Sequence, residues 1–193
     1  MTDSDRDFVT IVAGLPRSGT SMAMRIIDQG GIPALIDEIR KADEDNPRGY
    51  YEFEPVKKTK KDASWLETAP GKVVKMVYRL LYDLPDHYQY RIVFMKRRLE
   101  EVIASQNVML DRKGKAGGSL SDEQLLATFR KEIEKIEQWL AEQPNFKTLY
   151  VMYNEVLEDA GPKVAAINKF LGGNLDTEKM LAVVDKSLYR QRK

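Results

Sequence analysis

The chain has 193 residues, 31 basic against 30 acidic, with no cysteine and a single histidine, His87. That length allows one domain with a real core, expected over 1–193. The balanced charge speaks against a general nucleic-acid binder, and the missing cysteines exclude disulfides, thiolate zinc sites and thiol catalysis. No apolar run approaches the ~20 residues of a membrane span and the polar, acidic start is no signal peptide, so a soluble, cytoplasmic protein is expected.

The first predicted element is an apolar strand at residues 8–13. It runs into the octapeptide GLPRSGTS at 14–21 and then into a predicted helix, 20–29, with Met22, Ala23, Ile26 and Ile27 on one face and Gly30-Gly31 as its stop. Residues 42–51 read as a loop. Further buried strands are predicted at 73–77, 92–95 and 149–152. A helix over 99–110 carries the stripe Leu99, Val102, Ile103, Met109 and Leu110. Residues 111–120, with three glycines and three basic residues, read as a solvated loop or a mobile lid. A helix over 122–143 starts at Ser121, with Gln124 completing a capping box. Its core face is Leu125, Phe129, Ile133, Ile136 and Leu140. The last predicted helix, 162–171, has proline in its first turn and Gly172-Gly173 beyond its end. Met22, Met24, Met76 and Met95 read as core filler. Strands alternating with helices predict an α/β fold with a mainly parallel central sheet.

The octapeptide has the glycine spacing of a nucleotide-triphosphate P-loop, but Thr20 stands where that loop has lysine. A strand, a glycine turn and a helix start direct backbone N–H groups and the positive end of the helix dipole at one point. Arg17 adds a fixed charge, Gly19 a close backbone approach, and Ser18, Thr20 and Ser21 hydroxyls. The strands read as central end in Met76-Val77 and Met95-Lys96-Arg97-Arg98 and offer no aspartate for magnesium, which disfavours a triphosphate hydrolase. Arg97 at a strand end and Ser105 two turns into the following helix form a second candidate anion site, for which a solvated basic turn is the alternative.

These residues resemble a family. GLPRSGTS is similar to the 5′-phosphosulfate loop of sulfotransferases that use 3′-phosphoadenosine 5′-phosphosulfate (PAPS). IVFMKRRLEEVIAS, at 92–105, resembles their 3′-phosphate segment; residues 149–172 resemble their late strand, turn and helix; NPRGYYE, at 46–52, resembles a segment of bacterial members. The resemblance implies a P-loop-like sulfotransferase fold, PAPS as donor, adenosine 3′,5′-bisphosphate as product, no metal, and a small-molecule or glycan-like acceptor with a hydroxyl or amine. It implies that Arg17, Ser18, Gly19, Thr20, Ser21, Arg97 and Ser105 bind the donor, with Tyr153 near the adenine and Arg190 and Arg192 of the basic tail closing over the 3′-phosphate. A core tyrosine and a solvated tail are the alternatives for the last two.

The chain departs from the family at the base. Many eukaryotic members carry Lys-Thr-His on the strand matched by VVKMV; Lys75 is retained and Val77 stands at the histidine position, on the same face of the strand. Lys75 is a candidate to assist the leaving group or a lysine snorkelling from an apolar strand. The resemblance implies Glu52 as general base, with Glu54 second; His87 falls outside the matched motifs. A small-metabolite kinase of P-loop type and a non-catalytic nucleotide-binding homologue are the competing readings.

Overall fold

The computed structural model describes residues 7–37, 39, 43, 49–112, 114 and 120–185. Strands β1 (Val9–Gly14), β2 (Val73–Val77), β3 (Tyr90–Lys96) and β4 (Phe146–Met152) form one sheet in the order β2-β1-β3-β4, and every pairing is parallel. Helices α1 (Thr20–Gln29), α2 (Leu99–Arg112), α3 (Asp122–Glu142), α4 (Tyr153–Glu158), α5 (Ala160–Phe170) and α6 (Thr177–Ala182) flank it. This is the expected α/β class. β2, read as central, is instead an edge strand; among the described residues its outer side pairs with a short bridge from Ala34 to Val73. Among the described residues, no helix is long and apolar enough to cross a membrane.

A parallel sheet must be covered on both faces, and strand alternation here sorts the apolar residues accordingly. Val9, Ile11 and Ala13 of β1 and Ile92 and Phe94 of β3 pack with Val102 of α2 and Ile136 and Leu140 of α3. Val12, Val93, Met95 and Val151 face the other way, onto Ala23, Met24, Ile26 and Ile27 of α1 and onto α4, α5 and α6. Trp65, Leu66 and Leu81, from short 3-10 turns flanking β2, close the first core.

α1 occupies its predicted span, and α3 opens with the predicted capping box between Ser121 and Gln124. α4 and α6 were not foreseen: each has six residues, too few to show a helical period.

β1 connects towards β2 on one side of the sheet, whereas β3 and β4 lie on its other side. The chain therefore reverses its winding between β1 and β3. Crevices at the carboxyl ends of strands at such a reversal are where open α/β sheets bind ligands. The loop of residues 14–19 and the Arg97-Arg98 turn leave the sheet there.

Candidate functional site

The β1–α1 turn is shaped by two glycines. A Cβ on Gly14 would lie 2.6 Å from the Met95 carbonyl oxygen of β3 and 2.6 Å from Ser18 Oγ, so only a bare Cα lets the loop pass so close to the sheet. Gly19, with φ of 97°, is the N-cap of α1; a Cβ there would lie 2.4 Å from the Tyr153 ring. Gly19 brings no capping side chain, none is seen at the start of α1 among the described residues, and the first turn carries no acidic residue. The positive end of the helix is therefore left to whatever the loop holds.

Ser18 is 1% exposed, and its hydroxyl has no hydrogen-bond partner among the described residues. A buried hydroxyl left so costs about 1–3 kcal/mol. An unsatisfied donor inside a glycine turn, at an uncapped helix start, suits an anion. Arg17 adopts φ of 73°, a left-handed conformation unfavourable for a residue with a Cβ. Strain of this kind persists where surrounding contacts hold it, and here they do.

Those contacts come from β3 and α2. Arg17 Nε donates to Ser105 Oγ at 2.9 Å, and the Arg17 carbonyl accepts from a terminal nitrogen (NH1) of Arg97 at 3.1 Å. Ser105 is buried rather than superficial. Arg97 Nε donates to Glu101 Oε2 at 2.9 Å, and its guanidinium lies over the Tyr153 ring at 4.7 Å from the centroid. Tyr153 is buried, clasped between Gly19 and Arg97 at the start of α4. Arg17, Ser18, Gly19, Arg97, Ser105 and Tyr153 thus converge at one end of the sheet.

A second cluster lies beside it, around the end of β2. The Lys75 amine and the Ser21 hydroxyl both donate to the Tyr50 carbonyl, the latter at 3.3 Å. Glu52 stands 3.9 Å from the Lys75 amine and 4.0 Å from that of Lys57. Glu54 is more exposed than Glu52: it pairs with the exposed Lys57, and its backbone N–H donates to Asp37 at 2.6 Å. Tyr51 reaches back to Asp28 of α1 at 3.5 Å, and burial, followed by the Asp28 charge, raises its phenol above the usual range. Val77, which stands where the resemblance leads to the expectation of a histidine, is 43% exposed at the strand end. Thr20 opens α1 next to Gly14.

His87 precedes β3, at the opposite end of that strand from Arg97, and pairs loosely with Asp86 at 3.9 Å. Arg190 and Arg192 lie outside the described residues, as do residues 46–48 of the NPRGYYE segment and most of the 111–120 loop. Two residues of the site escaped the sequence reading. Glu101 has no exposed surface, and Asn154 donates to it at 3.0 Å. Neither residue type signals burial by itself. The available signal was the spacing of Arg97 and Glu101, an i,i+4 pair across the first turn of α2.

Residues 7–193 match the family model described as a sulfotransferase domain. The chain belongs to the sulfotransferase family. Two solved structures of retinol dehydratase share its fold, one with androsterone and the inactive cofactor PAP, the other with retinol and PAP. Each is 16% identical with a TM-score of 0.50. The alignments cover 91% and 96% of this chain but 62% and 70% of those. This sulfotransferase-family chain therefore spans roughly two thirds of the length of those proteins. A sulfotransferase from Alicyclobacillus acidocaldarius is also similar, at 15% identity, with 96% of this chain and 97% of that one covered and a TM-score of 0.46. No curated protein sequence matches the chain. The likeness to retinol dehydratase shows a P-loop-like sulfotransferase fold.

Proposed function

We propose that the protein transfers a sulfuryl group from PAPS to a hydroxyl or amine of a small-molecule or glycan-like acceptor, leaving adenosine 3′,5′-bisphosphate. The observation that carries this reading is the convergence of Arg17, the unpartnered Ser18 hydroxyl, Arg97 and Ser105 at the winding reversal, in a chain of the sulfotransferase family. The PAP named in both retinol dehydratase structures supports the choice of donor.

The residues present fit that donor. Residues 17–21 offer hydroxyls, N–H groups and one guanidinium around the uncapped start of α1, which suits a terminal phosphate. Arg97 and Ser105 supply the second anion-binding segment, and Tyr153 forms the floor under Arg97. PAPS supplies a sulfuryl group already activated on its 5′-phosphate. Arg17 is the group that offsets negative charge growing on the leaving phosphate oxygen, held by Ser105 so that little reorganisation is needed. Lys75, beside the loop through Tyr50, adds a second positive charge. Glu52, next to Lys75, takes the acceptor proton as general base.

The reading is tested by calorimetric titration of the protein with adenosine 3′,5′-bisphosphate and with magnesium-ATP, followed by turnover of PAPS with a panel of alcohols and amines. Tight bisphosphate binding with bisphosphate release from PAPS is expected. Preference for magnesium-ATP would instead favour a small-metabolite kinase. Bisphosphate binding without turnover across the panel would favour a non-catalytic homologue, the outcome for which the valine at position 77 leaves room.

A further inference from the structure

Glu101 is a carboxylate on the buried side of α2, with no exposed surface, and the chemistry above does not use it. Burying a carboxylate is costly unless it is paired and hydrogen-bonded, and removing one partner of such a pair is strongly destabilising. Its position therefore requires a reason.

Its two oxygens are divided. Oε2 accepts from Arg97 Nε at 2.9 Å; Oε1 accepts from Asn154 Nδ2 at 3.0 Å, with the Arg98 guanidinium 3.8 Å away. The Asn154 amide is oriented from its other side, since its Oδ1 accepts the Arg98 backbone N–H at 3.4 Å. Asn154 belongs to α4 and Glu101 to α2, so the carboxylate ties together the segments that follow β3 and β4. With Nε held by Glu101 and the ring of Tyr153 beneath it, Arg97 presents a terminal nitrogen to the Arg17 carbonyl at 3.1 Å. The guanidinium is fixed on its Nε edge, its face and one terminal nitrogen.

We propose that Glu101 and Asn154 are positioning residues for the nucleotide. They set the orientation of the Arg97 fork, and through it the backbone of Arg17, so that recognition of a 3′-phosphate depends on a carboxylate outside the ligand-binding set. The inference rests on the PAPS reading above, and it makes a chemical prediction that a purely structural carboxylate does not. A structural role changes the folded fraction, which leaves the ratio of affinities for two ligands of the folded state untouched. A positioning role changes that ratio.

The test measures affinity for adenosine 3′,5′-bisphosphate and for adenosine 5′-phosphate by calorimetry, and takes their ratio as the 3′-phosphate discrimination. Glu101→Gln presents an N–H where one of two donors now points at oxygen. Asn154→Asp sets two carboxylates face to face. Each is expected to reduce discrimination by about 10- to 100-fold, the scale of a hydrogen bond to a charged group. The double variant Glu101→Gln/Asn154→Asp exchanges the amide and the carboxylate while keeping the hydrogen bonds described above. The amide now on α2 accepts from Arg97 and donates to the carboxylate now on α4, which still accepts from the Arg98 N–H. This variant is expected to restore discrimination to within about threefold of the unmodified chain, a difference of well under one tenfold step in free energy.

Unchanged discrimination in the single variants, or no recovery in a folded double variant, overturns the proposal. Should the single variants fail to fold, Glu101→Asp keeps the charge and shortens its reach. It is expected to lower discrimination at least about threefold, against the roughly tenfold or more of a lost charged hydrogen bond, and discrimination equal to that of the unmodified chain overturns the proposal. If the unmodified protein itself does not bind the bisphosphate, the donor reading fails and this inference with it; if it discriminates and the variants do too, only this inference fails.

Discussion

The Nε–H of Arg17 donates to the hydroxyl of Ser105 at 2.9 Å, across 88 positions of sequence, and so joins the loop after β1 to the helix after β3. The two segments proposed to bind the donor's anionic groups thereby share one hydrogen bond. Ser105→Ala removes the acceptor from the Nε edge of that guanidinium. A hydrogen bond to a charged group is worth about 1.5–3 kcal/mol. Bisphosphate affinity of the folded variant, measured by calorimetry, should fall by about 10- to 100-fold, and the urea midpoint should fall as well, because the bond is already present without ligand. An unchanged dissociation constant would mean that the contact is incidental to ligand binding.

Gly19 and Tyr153 make the second testable pair. Gly19→Ala must place a methyl group 2.4 Å from the Tyr153 ring while keeping φ at 97°. The left-handed conformation alone costs roughly 1–2 kcal/mol for a residue with a Cβ, and the overlap adds to it. The stability loss by chemical denaturation should exceed ~2 kcal/mol in the native background and shrink when Tyr153 is replaced by alanine, since coupled neighbours do not add. Equal losses in both backgrounds would show that the ring yields freely.

What could be read ahead of the structure followed from local rules. β1 and α1 were legible because an apolar run, a glycine turn and a 3.6-residue stripe each act within a few residues. The same holds for the start of α3, where Ser121 and Gln124 satisfy each other's backbone. Arg17, Arg97 and Ser105 were legible as residue types after strand ends, but their mutual contacts depend on which strands are neighbours. That order also corrected β2 from a central to an edge strand. Glu101 and Asn154 were harder to read, because acidic and amide side chains on short or amphipathic helices ordinarily face water, and the i,i+4 spacing of Arg97 and Glu101 signals a pair but not its burial. Arg97, four residues before Glu101, and the contact between the segments after β3 and β4 hold them inside.

Magnesium should be dispensable for nucleotide binding. Thr20 stands where triphosphate-binding loops carry lysine, and β2 and β3 end without aspartate. Among the described residues, no group of three or more His, Asp or Glu side chains is close enough to share a metal ion. Bisphosphate affinity in excess chelator should equal that in excess magnesium. Loss of binding in chelator would move the kinase reading to the front.

Tyr78 offers a pH probe of the packing between the 3-10 turn after β2 and α3. Burial, and then its hydrogen bond to Glu132, push its phenol up from 10.0 to about 12. The folded chain therefore holds this proton more tightly than the unfolded chain. The resulting stabilisation is complete below pH 10 and is lost as the pH rises towards 12. Stability of the unmodified chain relative to Tyr78→Phe, from urea midpoints, should be constant up to about pH 9.5 and then fall. Taking the difference cancels the other tyrosines, including Tyr90, whose phenol burial also raises. A difference flat through pH 12 would refute the assignment.

The proton-accepting group is the remaining question, and the geometry separates its two carboxylate candidates. Glu52 stands 3.9 Å from Lys75, which shares a face of β2 with Val77, whereas Glu54 pairs with the exposed Lys57 and is itself the more exposed of the two carboxylates. Val77 has no atom that accepts a proton, and His87 lies before the start of β3, away from the strand ends that carry the site. Glu52→Gln keeps the shape and removes the basic site. Loss of a general base costs about 10²–10⁴-fold in rate, so turnover with an identified acceptor should fall within that range. Bisphosphate affinity should stay near its original value, because Glu52 reaches the loop through Lys75 and Tyr50. The confounding route is a shift of Lys75 once its carboxylate neighbour is neutral. Lys75→Met in both backgrounds addresses it: if Glu52 acts as a base, Glu52→Gln still lowers the rate when Lys75 is gone; if it only restrains the lysine, the second substitution adds nothing. Full activity in Glu52→Gln and in Glu54→Gln would instead indicate an acceptor, such as an amine already unprotonated, that requires no base from the protein.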